Sequence, residues 1–361
     1  MSARRVYLDW NASAPLRPEA RAAMLAALDL CGNPSSVHAE GRAARAAIER
    51  ARRQVAALAG CAPEEVVFTS GATEAARIML RGRRALAFAD VEHDSVHAEA
   101  VACAAPARLG VEAGGRVRLE DAPEGAPATL QLANSETGVM QPAARRAPLL
   151  LCDATQAAGK TALDFAAMGA RALMLSAHKI GGPKGVGALI VRAGAGVDFG
   201  PAGGGQELRR RPGTENVPGI AGFGAAAEAA LRDLEAGVWA RVERLRDMIE
   251  ERLEKASPET IFPGRGSPRL PNTTCAVTPG WKGETQVMQL DLAGFAVSAG
   301  SACASGKTAP SRALAAMGLA PELARCALRV SLGPDTREDE ALAFAEAWAE
   351  LRRRRRSASA A

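Results

Sequence analysis

The 361-residue chain carries 45 lysines and arginines against 40 aspartates and glutamates, a formal charge of +5, and is 48% hydrophobic and 24% charged, as a globular protein long enough for two domains would be. The whole excess of charge is the run Arg352 to Arg356, which reads as a frayed, solvated helix end, so the basicity does not point to a nucleic-acid partner. No apolar run reaches the roughly 18 residues of a membrane helix and no basic-then-apolar leader opens the chain, so we expect no membrane span and a cytoplasmic protein.

In chain order, Arg5 to Pro15 reads as a short extended piece ending in a turn, and Pro18 to Leu30 as a helix stopped by Gly32-Asn33-Pro34-Ser35-Ser36. A longer helix, about His38 to Ala59, places Ala44, Ala47, Ile48, Val55 and Leu58 on its apolar side. Glu65 to Thr69 is a strand, and Ser70-Gly71-Ala72-Thr73-Glu74 opens the next helix. Free backbone N–H groups and the helix dipole there suit an anion, although capping by Ser70 or Thr73 explains the same residues. Strands follow at Ala85 to Ala89, Thr129 to Ala133, Leu149 to Cys152, Ala172 to Leu175 and Val186 to Val191, with a helix at about Asp94 to Ala104. Strands separated by helices give an α/β chain with a mainly parallel, doubly wound sheet.

The polar residues of interest stand at strand ends: Thr73, His93, Asn134-Ser135-Glu136-Thr137-Gly138, Asp153-Ala154-Thr155-Gln156 and Lys179. Ligands of open α/β sheets bind beyond the carboxyl ends of strands, so these loops are expected to converge on one crevice. After Arg211-Pro212-Gly213-Thr214-Glu215-Asn216 come helices at about Pro218 to Glu235 and Val238 to Lys255. The remaining elements are strand Thr273 to Val277, helix Glu284 to Leu292, short strand Ala296 to Ser298, helix Pro310 to Met317, strand Ala327 to Leu332 and helix Thr336 to Leu351. We therefore expect a large domain over residues 14–233 and a smaller α+β domain made of 1–13 and 234–361.

Only six residues are lysines, at 160, 179, 184, 255, 282 and 307, and two of them fall in Ser176-Ala177-His178-Lys179-Ile180-Gly181-Gly182-Pro183-Lys184-Gly185. An amine at a strand end can condense with a carbonyl, which a guanidinium does not do, so Lys179 suggests a lysine that holds pyridoxal phosphate. That cofactor also needs an acid at its pyridine nitrogen, donors for its phosphate and a ring against its face. Asp153, Thr73 with the helix start after Gly71, and His93 fill those places. Seven cysteines with no CxxC pair argue against a disulfide framework or a metal site. Cys303 stands apart, in the small-residue segment Ser298-Ala299-Gly300-Ser301-Ala302-Cys303-Ala304-Ser305-Gly306.

With these residues in place the chain resembles the cysteine desulfurases, the NifS- and IscS-like members of the pyridoxal-phosphate class V aminotransferase group. The motifs run in that family's order from about Tyr7 to Leu332: YLDWNASAP, NPSSVH, VVFTSGATEA, VEHDSV, NSETGV, DATQAAGK, SAHKIGGPKG, GGGQE, RRPGTENV, SAGSACASG and LRVSLG. The resemblance implies a fold-type I transferase that takes sulfur from L-cysteine, releases L-alanine and leaves a persulfide on Cys303 for an acceptor protein, as in iron–sulfur cluster assembly. It implies Lys179 as the cofactor lysine, Asp153 at the pyridine nitrogen, Gln156 at the phenolic oxygen and His93 on the ring as an acid–base group. Ala72, Thr73, Ser176 and His178 would hold the phosphate, with Thr214 reaching across a homodimer interface to the other subunit's cofactor. Asn134, Arg329 and Asn11 would meet the substrate. The segments 93–134 and 138–153 are shorter than usual in the family, and the chain ends without the longer extension some members use to dock a scaffold protein. A selenocysteine lyase or other lyase with the same cofactor, or a catalytically silent scaffold or regulator, are the alternatives that remain.

Overall fold

Apolar runs without alternation mark strands covered on both faces, and Leu149–Asp153 and Ala172–Ser176 are accordingly buried along their whole length in the middle of a seven-stranded sheet. The structure is a computed structural model and describes residues 5–142, 149–200, 203–300 and 310–360. The strands in chain order are β1 (Val6–Tyr7), β2 (Val66–Thr69), β3 (Ala85–Ala89), β4 (Ala105–Leu109), β5 (Ala128–Gln131), β6 (Leu149–Asp153), β7 (Ala172–Ser176), β8 (Gly187–Val191), β9 (Thr273–Val277), β10 (Phe295–Ala296), β11 (Ser298–Ala299) and β12 (Ala327–Ser331).

The large sheet has the order β2-β8-β7-β6-β5-β3-β4. Neighbours from β4 to β7 are parallel, and β8 runs antiparallel to both β7 and β2. The expectation of a mainly parallel sheet holds. The link from β7 to β8 carries one short 3-10 turn, too little chain for a crossover, so β8 can only return antiparallel. The edge strand β4 does not stand out in the sequence: Ala-Pro-Ala-Arg-Leu is largely exposed and its proline suits only an edge.

Helices cover both faces. Pro18–Leu28, Ala39–Ala59 and Val217–Glu235 pack on one, where a Cβ at Gly224 would lie 2.5 Å from the Ala51 Cα, so the two long helices touch backbone to backbone. Ala72–Leu80 and Asp94–Val101 cover the other face, against Val67, Leu86, Phe88, Met174 and Leu189. A separate apolar cluster gathers Trp281, Phe295, Leu328, Val330, Phe344 and Trp348 around the antiparallel sheet β11-β12-β9 and the helices Val238–Ala256 and Glu338–Ala360. The first strand belongs to this cluster: β1 pairs with β10, and Val6 and Leu8 are buried in it. The single strand expected over Ala296 to Ser298 is split, with β10 on β1 and β11 on β12.

The arginine run is not a frayed end. The last helix continues to Ala360, and Arg352 is buried, donating to Ser257 Oγ, Glu259 and the Pro279 carbonyl with its guanidinium 5.9 Å from the Trp281 ring centroid. Arg355 donates to the Gly280 carbonyl and Arg356 to Glu259, so three of the five arginines are fixed on one helix face by acceptors that lie far away in the sequence. No helix among the described residues is long and apolar enough to cross a membrane.

Candidate active site

The loops after β2, β3, β5, β6 and β7 meet residues 11–13 and Arg329 of β12 around a cavity of about 520 Å³. Ten of the residues given a cofactor, substrate or catalytic role line it: Asn11, Ala72, Thr73, His93, Asp153, Gln156, Ser176, His178, Lys179 and Arg329.

Lys179 ends a single 3-10 turn, Ala177–Lys179, that reverses the chain directly after β7. Gly182 closes the reversal by donating to the Ala177 carbonyl, and a Cβ there would meet the Ala177 Cβ at 2.9 Å. The Lys179 Nζ lies 2.6 Å from the Asn11 carbonyl oxygen and 2.9 Å from that of Ala12. The basic motif thus reaches the N-terminal segment, which brings Asn11 into the site. Asn11 is itself fixed on both sides, donating to the Ser135 carbonyl and Thr273 Oγ1 and accepting from Asn272.

One end of the cavity suits an anion. The helix Ala72–Leu80 starts at Gly71 with no side-chain cap, so the capping alternative for Ser70 and Thr73 is not what the structure contains. Ser70 N–H is instead taken by Glu74 Oε2 at 2.6 Å, with Glu74 held by Arg211. Thr73, Ser176, His178 and Lys184 line the same cavity as the open helix start. Burial, with Lys179, Lys184 and Lys160 nearby, pushes His178 down to about 4. It is a neutral ring whose Nδ1 lies 3.2 Å from Ser13 Oγ.

The other end is acidic. Asp153, at the buried end of β6, accepts at Oδ1 from the Thr155 N–H at 2.8 Å. Behind it lies Glu92, whose carboxyl is pushed up to about 8 by burial and then by Asp153. His93 caps the helix Asp94–Val101: its Nδ1 accepts from the Ser95 N–H, which leaves the ring proton on Nε2. Arg329 donates to Asp9 Oδ1 at 2.8 Å and to the Ser135 carbonyl at 3.2 Å, while its buried Nε has no partner among the described residues.

Three expectations end elsewhere. Asn134 does not line the cavity. Its Nδ2 donates to the Val91 carbonyl and Gln131 Oε1, and its Oδ1 accepts from Glu136 N–H, Thr137 N–H and Thr137 Oγ1, so it builds the turn and leaves nothing for a substrate. Thr214 is exposed and away from this chain's own cavity. Cys303 lies outside the described residues. Of the six cysteines described, none lines the cavity, and burial raises Cys61 and Cys152 to about 12 and Cys275 further still.

The structure also brings in residues to which the sequence assigns no role: Asp9 on Arg329, Ser13 on His178, Lys184 in the cavity lining, and Lys160, whose Nζ lies 3.0 Å from both the main-chain and the side-chain oxygen of Gln156. Lys160 had a signal, being one of six lysines and four residues after Gln156. Asp9 had none, because its partner is 320 residues away.

An uncapped helix start among cations, a carboxyl at the opposite end, a lysine between them and a buried Thr155 Oγ1 without a partner among the described residues make a donor set that fits pyridoxal phosphate.

The chain matches the aminotransferase class-V family over residues 6–344. It is 42% identical to a cysteine desulfurase of Cereibacter sphaeroides over 356 residues, covering 91% of this chain and 90% of that one. It is 35% identical to the cysteine desulfurase IscS of Dictyoglomus turgidum over 368 residues, covering 93% of this chain and 92% of that one. Among solved structures, the NifS-like protein of Rickettsia africae superposes with a TM-score of 0.88 at 29% identity, over 96% of this chain and 99% of the other.

Proposed function

Since the chain belongs to the class-V aminotransferase family and is a cysteine desulfurase that works with pyridoxal phosphate, we propose the following division of labour among its residues. The observation that carries it is the meeting of Lys179, Asp153, His93 and the open start of the helix Ala72–Leu80 around one cavity.

Bound pyridoxal phosphate supplies an electron sink for the bond broken at the substrate's α-carbon. Lys179 would hold the cofactor through its amine and would take the α-proton of L-cysteine on Nζ. Asp153 holds the proton of the ring nitrogen. Thr73, Ser176, the neutral His178 and the backbone N–H groups at the helix start bind the phosphate. His93, fixed through Nδ1, turns its protonated Nε2 edge to the chemistry as the acid–base group. Arg329, held flat by Asp9 and the Ser135 carbonyl, meets the substrate carboxylate with its remaining N–H.

The Cys303 thiolate attacks the sulfur of L-cysteine. A sulfur–sulfur bond forms as the carbon–sulfur bond breaks, its electron pair staying on the carbon that leaves as L-alanine after protonation. The persulfide on Cys303 passes to an acceptor protein, in iron–sulfur cluster assembly or another sulfur-donating route, in the cytoplasm. Exposed Thr214 serves the cofactor of the partner in a homodimer, and residues 14–233 form the cofactor-binding domain against a smaller one made of 1–13 and 234–361.

Incubation with L-cysteine and pyridoxal phosphate, followed by mass spectrometry, tests this reading. L-alanine and one extra sulfur on the peptide containing Cys303 are expected, and the extra sulfur is lost in Cys303→Ser. Absence of both products overturns the activity, and sulfur on another cysteine overturns the acceptor assignment alone.

A further inference from the structure

Lys160 is 5% exposed and has no carboxylate partner among the described residues. Among the described residues its Nζ donates only to Gln156, 3.0 Å from the main-chain oxygen and 3.0 Å from Oε1. The charges bearing on it are the cations Lys179 and Arg329. A buried amine with no anion beside it among the described residues costs stability, so a lysine here, in a chain with only six of them, calls for a reason.

The reason lies in the amide it grips. Gln156 lines the cavity, and its Nε2 donates at 2.9 Å to the Asn11 carbonyl oxygen, the same atom that accepts from Lys179 Nζ at 2.6 Å. If the amide turned over, its NH2 would face the Lys160 amine, donor against donor, and its oxygen would face the Asn11 carbonyl, acceptor against acceptor. Lys160 and Asn11 together therefore allow one orientation, which leaves the second N–H of Nε2 for the cavity. The turn that carries Lys160 is held from outside as well: Gly159, at φ +69°, is pressed so closely that a Cβ would lie 2.9 Å from the Ala230 Cβ and 3.2 Å from Ile180, the neighbour of Lys179. The amide and the cofactor lysine thus share one rigid base.

We propose that Lys160 is a positioning residue of the active site, holding the Gln156 amide so that an N–H rather than the carbonyl is presented to the phenolic oxygen of pyridoxal phosphate. The inference rests on the cofactor reading above. Burial, and then Lys179 and Arg329, push the Lys160 amine down to about 7, and it donates in both its charged and its neutral form, so the orientation persists across the working range.

An N–H to the phenolic oxygen favours the anionic form of that oxygen, so its loss moves the titration of the bound cofactor's visible absorbance to higher pH. In Lys160→Met the midpoint is expected to rise by about half a unit or more, and affinity for pyridoxal phosphate, read by quenching of tryptophan fluorescence, to fall about ten-fold, the equivalent of one hydrogen bond. Lys160→Arg, which keeps a donor, restores most of both. If Lys160→Met does not fold, Lys160→Gln, shorter and uncharged, is expected to shift the midpoint in the same direction. A folded variant in which only the melting temperature changes, with midpoint and affinity as in the parent, overturns the proposal and leaves Lys160 a structural support for the turn. A parent protein that shows no visible absorbance with pyridoxal phosphate overturns the cofactor reading and this inference with it.

Discussion

Glu92 shows how one buried side chain couples the site to pH. It is buried beside Asp153, its Oε2 has no partner among the described residues, and its carboxyl is pushed up to about 8, first by burial and then by Asp153. A free glutamate titrates near 4.3. The folded protein therefore holds this proton more tightly than the unfolded chain: the associated stability is fully present below about pH 4 and is lost as pH rises to about 8. Glu92→Gln keeps the shape and removes the titration. In urea unfolding the variant should gain on the parent as pH rises, by up to about 5 kcal/mol at pH 9, with the gain gone near pH 4. A difference that does not grow with pH would mean that Glu92 is already ionised in the folded protein. The sequence placed His93 at the site and left Glu92 unremarked, because burial and a neighbouring carboxylate are properties of the fold and not of the Val-Glu-His-Asp string.

Among the described residues, backbone strain gathers in the segment after Gly203-Gly204-Gly205. Glu207, Leu208 and Arg209 all have left-handed backbone, with φ of 46°, 57° and 64°. Each such residue costs about 1–2 kcal/mol, so something must hold the run in place. Glu207 does so: its buried carboxylate takes both ends of the Arg52 guanidinium, at 2.8 and 2.9 Å, and the Phe68 N–H of β2 at 2.9 Å. The anchor joins the helix Ala39–Ala59, the first strand of the large sheet and the segment leading to Thr214. Two substitutions one residue apart should act oppositely. Glu207→Ala strands the buried Arg52 and is expected to cost about 3–5 kcal/mol in chemical denaturation. Leu208→Gly removes a side chain that is 59% exposed and relieves the backbone, with an expected gain of about 1 kcal/mol. A loss in Leu208→Gly would show that its side chain is covered in the assembled protein. The sequence shows three glycines here, but not that the left-handed backbone falls on three residues after them that lack glycine's freedom.

Across the whole molecule, the C-terminal arginines tie the last helix to the segments 257–259 and 279–281 beside the second apolar cluster. Arg352 fastens it to Ser257, Glu259 and Pro279 over Trp281, whereas Arg353 and Arg354 pair, among the described residues, with Glu350 on the exposed side. Arg352→Ala should cost about 2–3 kcal/mol through lost hydrogen bonds and stem packing, and Arg353→Ala or Arg354→Ala about 0.5 kcal/mol or less, when thermal unfolding is compared. Equal effects from all three would return the run to a solvated tail. The sequence by itself determined the βα alternation, the mainly parallel sheet and many, though not all, of the residues that ring the cavity. Apolar periodicity and strand-end loops are local patterns, and the topology of an open α/β sheet sends such loops to one edge. The tertiary structure alone decided what those side chains face. It turned Asn134 into a turn, set Asp9 against Arg329 across 320 residues, buried Lys160 under Gln156 and docked the arginine run. Each outcome depends on a hydrogen-bond partner distant in the chain or on exclusion from water, and neither is written in the spacing of neighbouring residues.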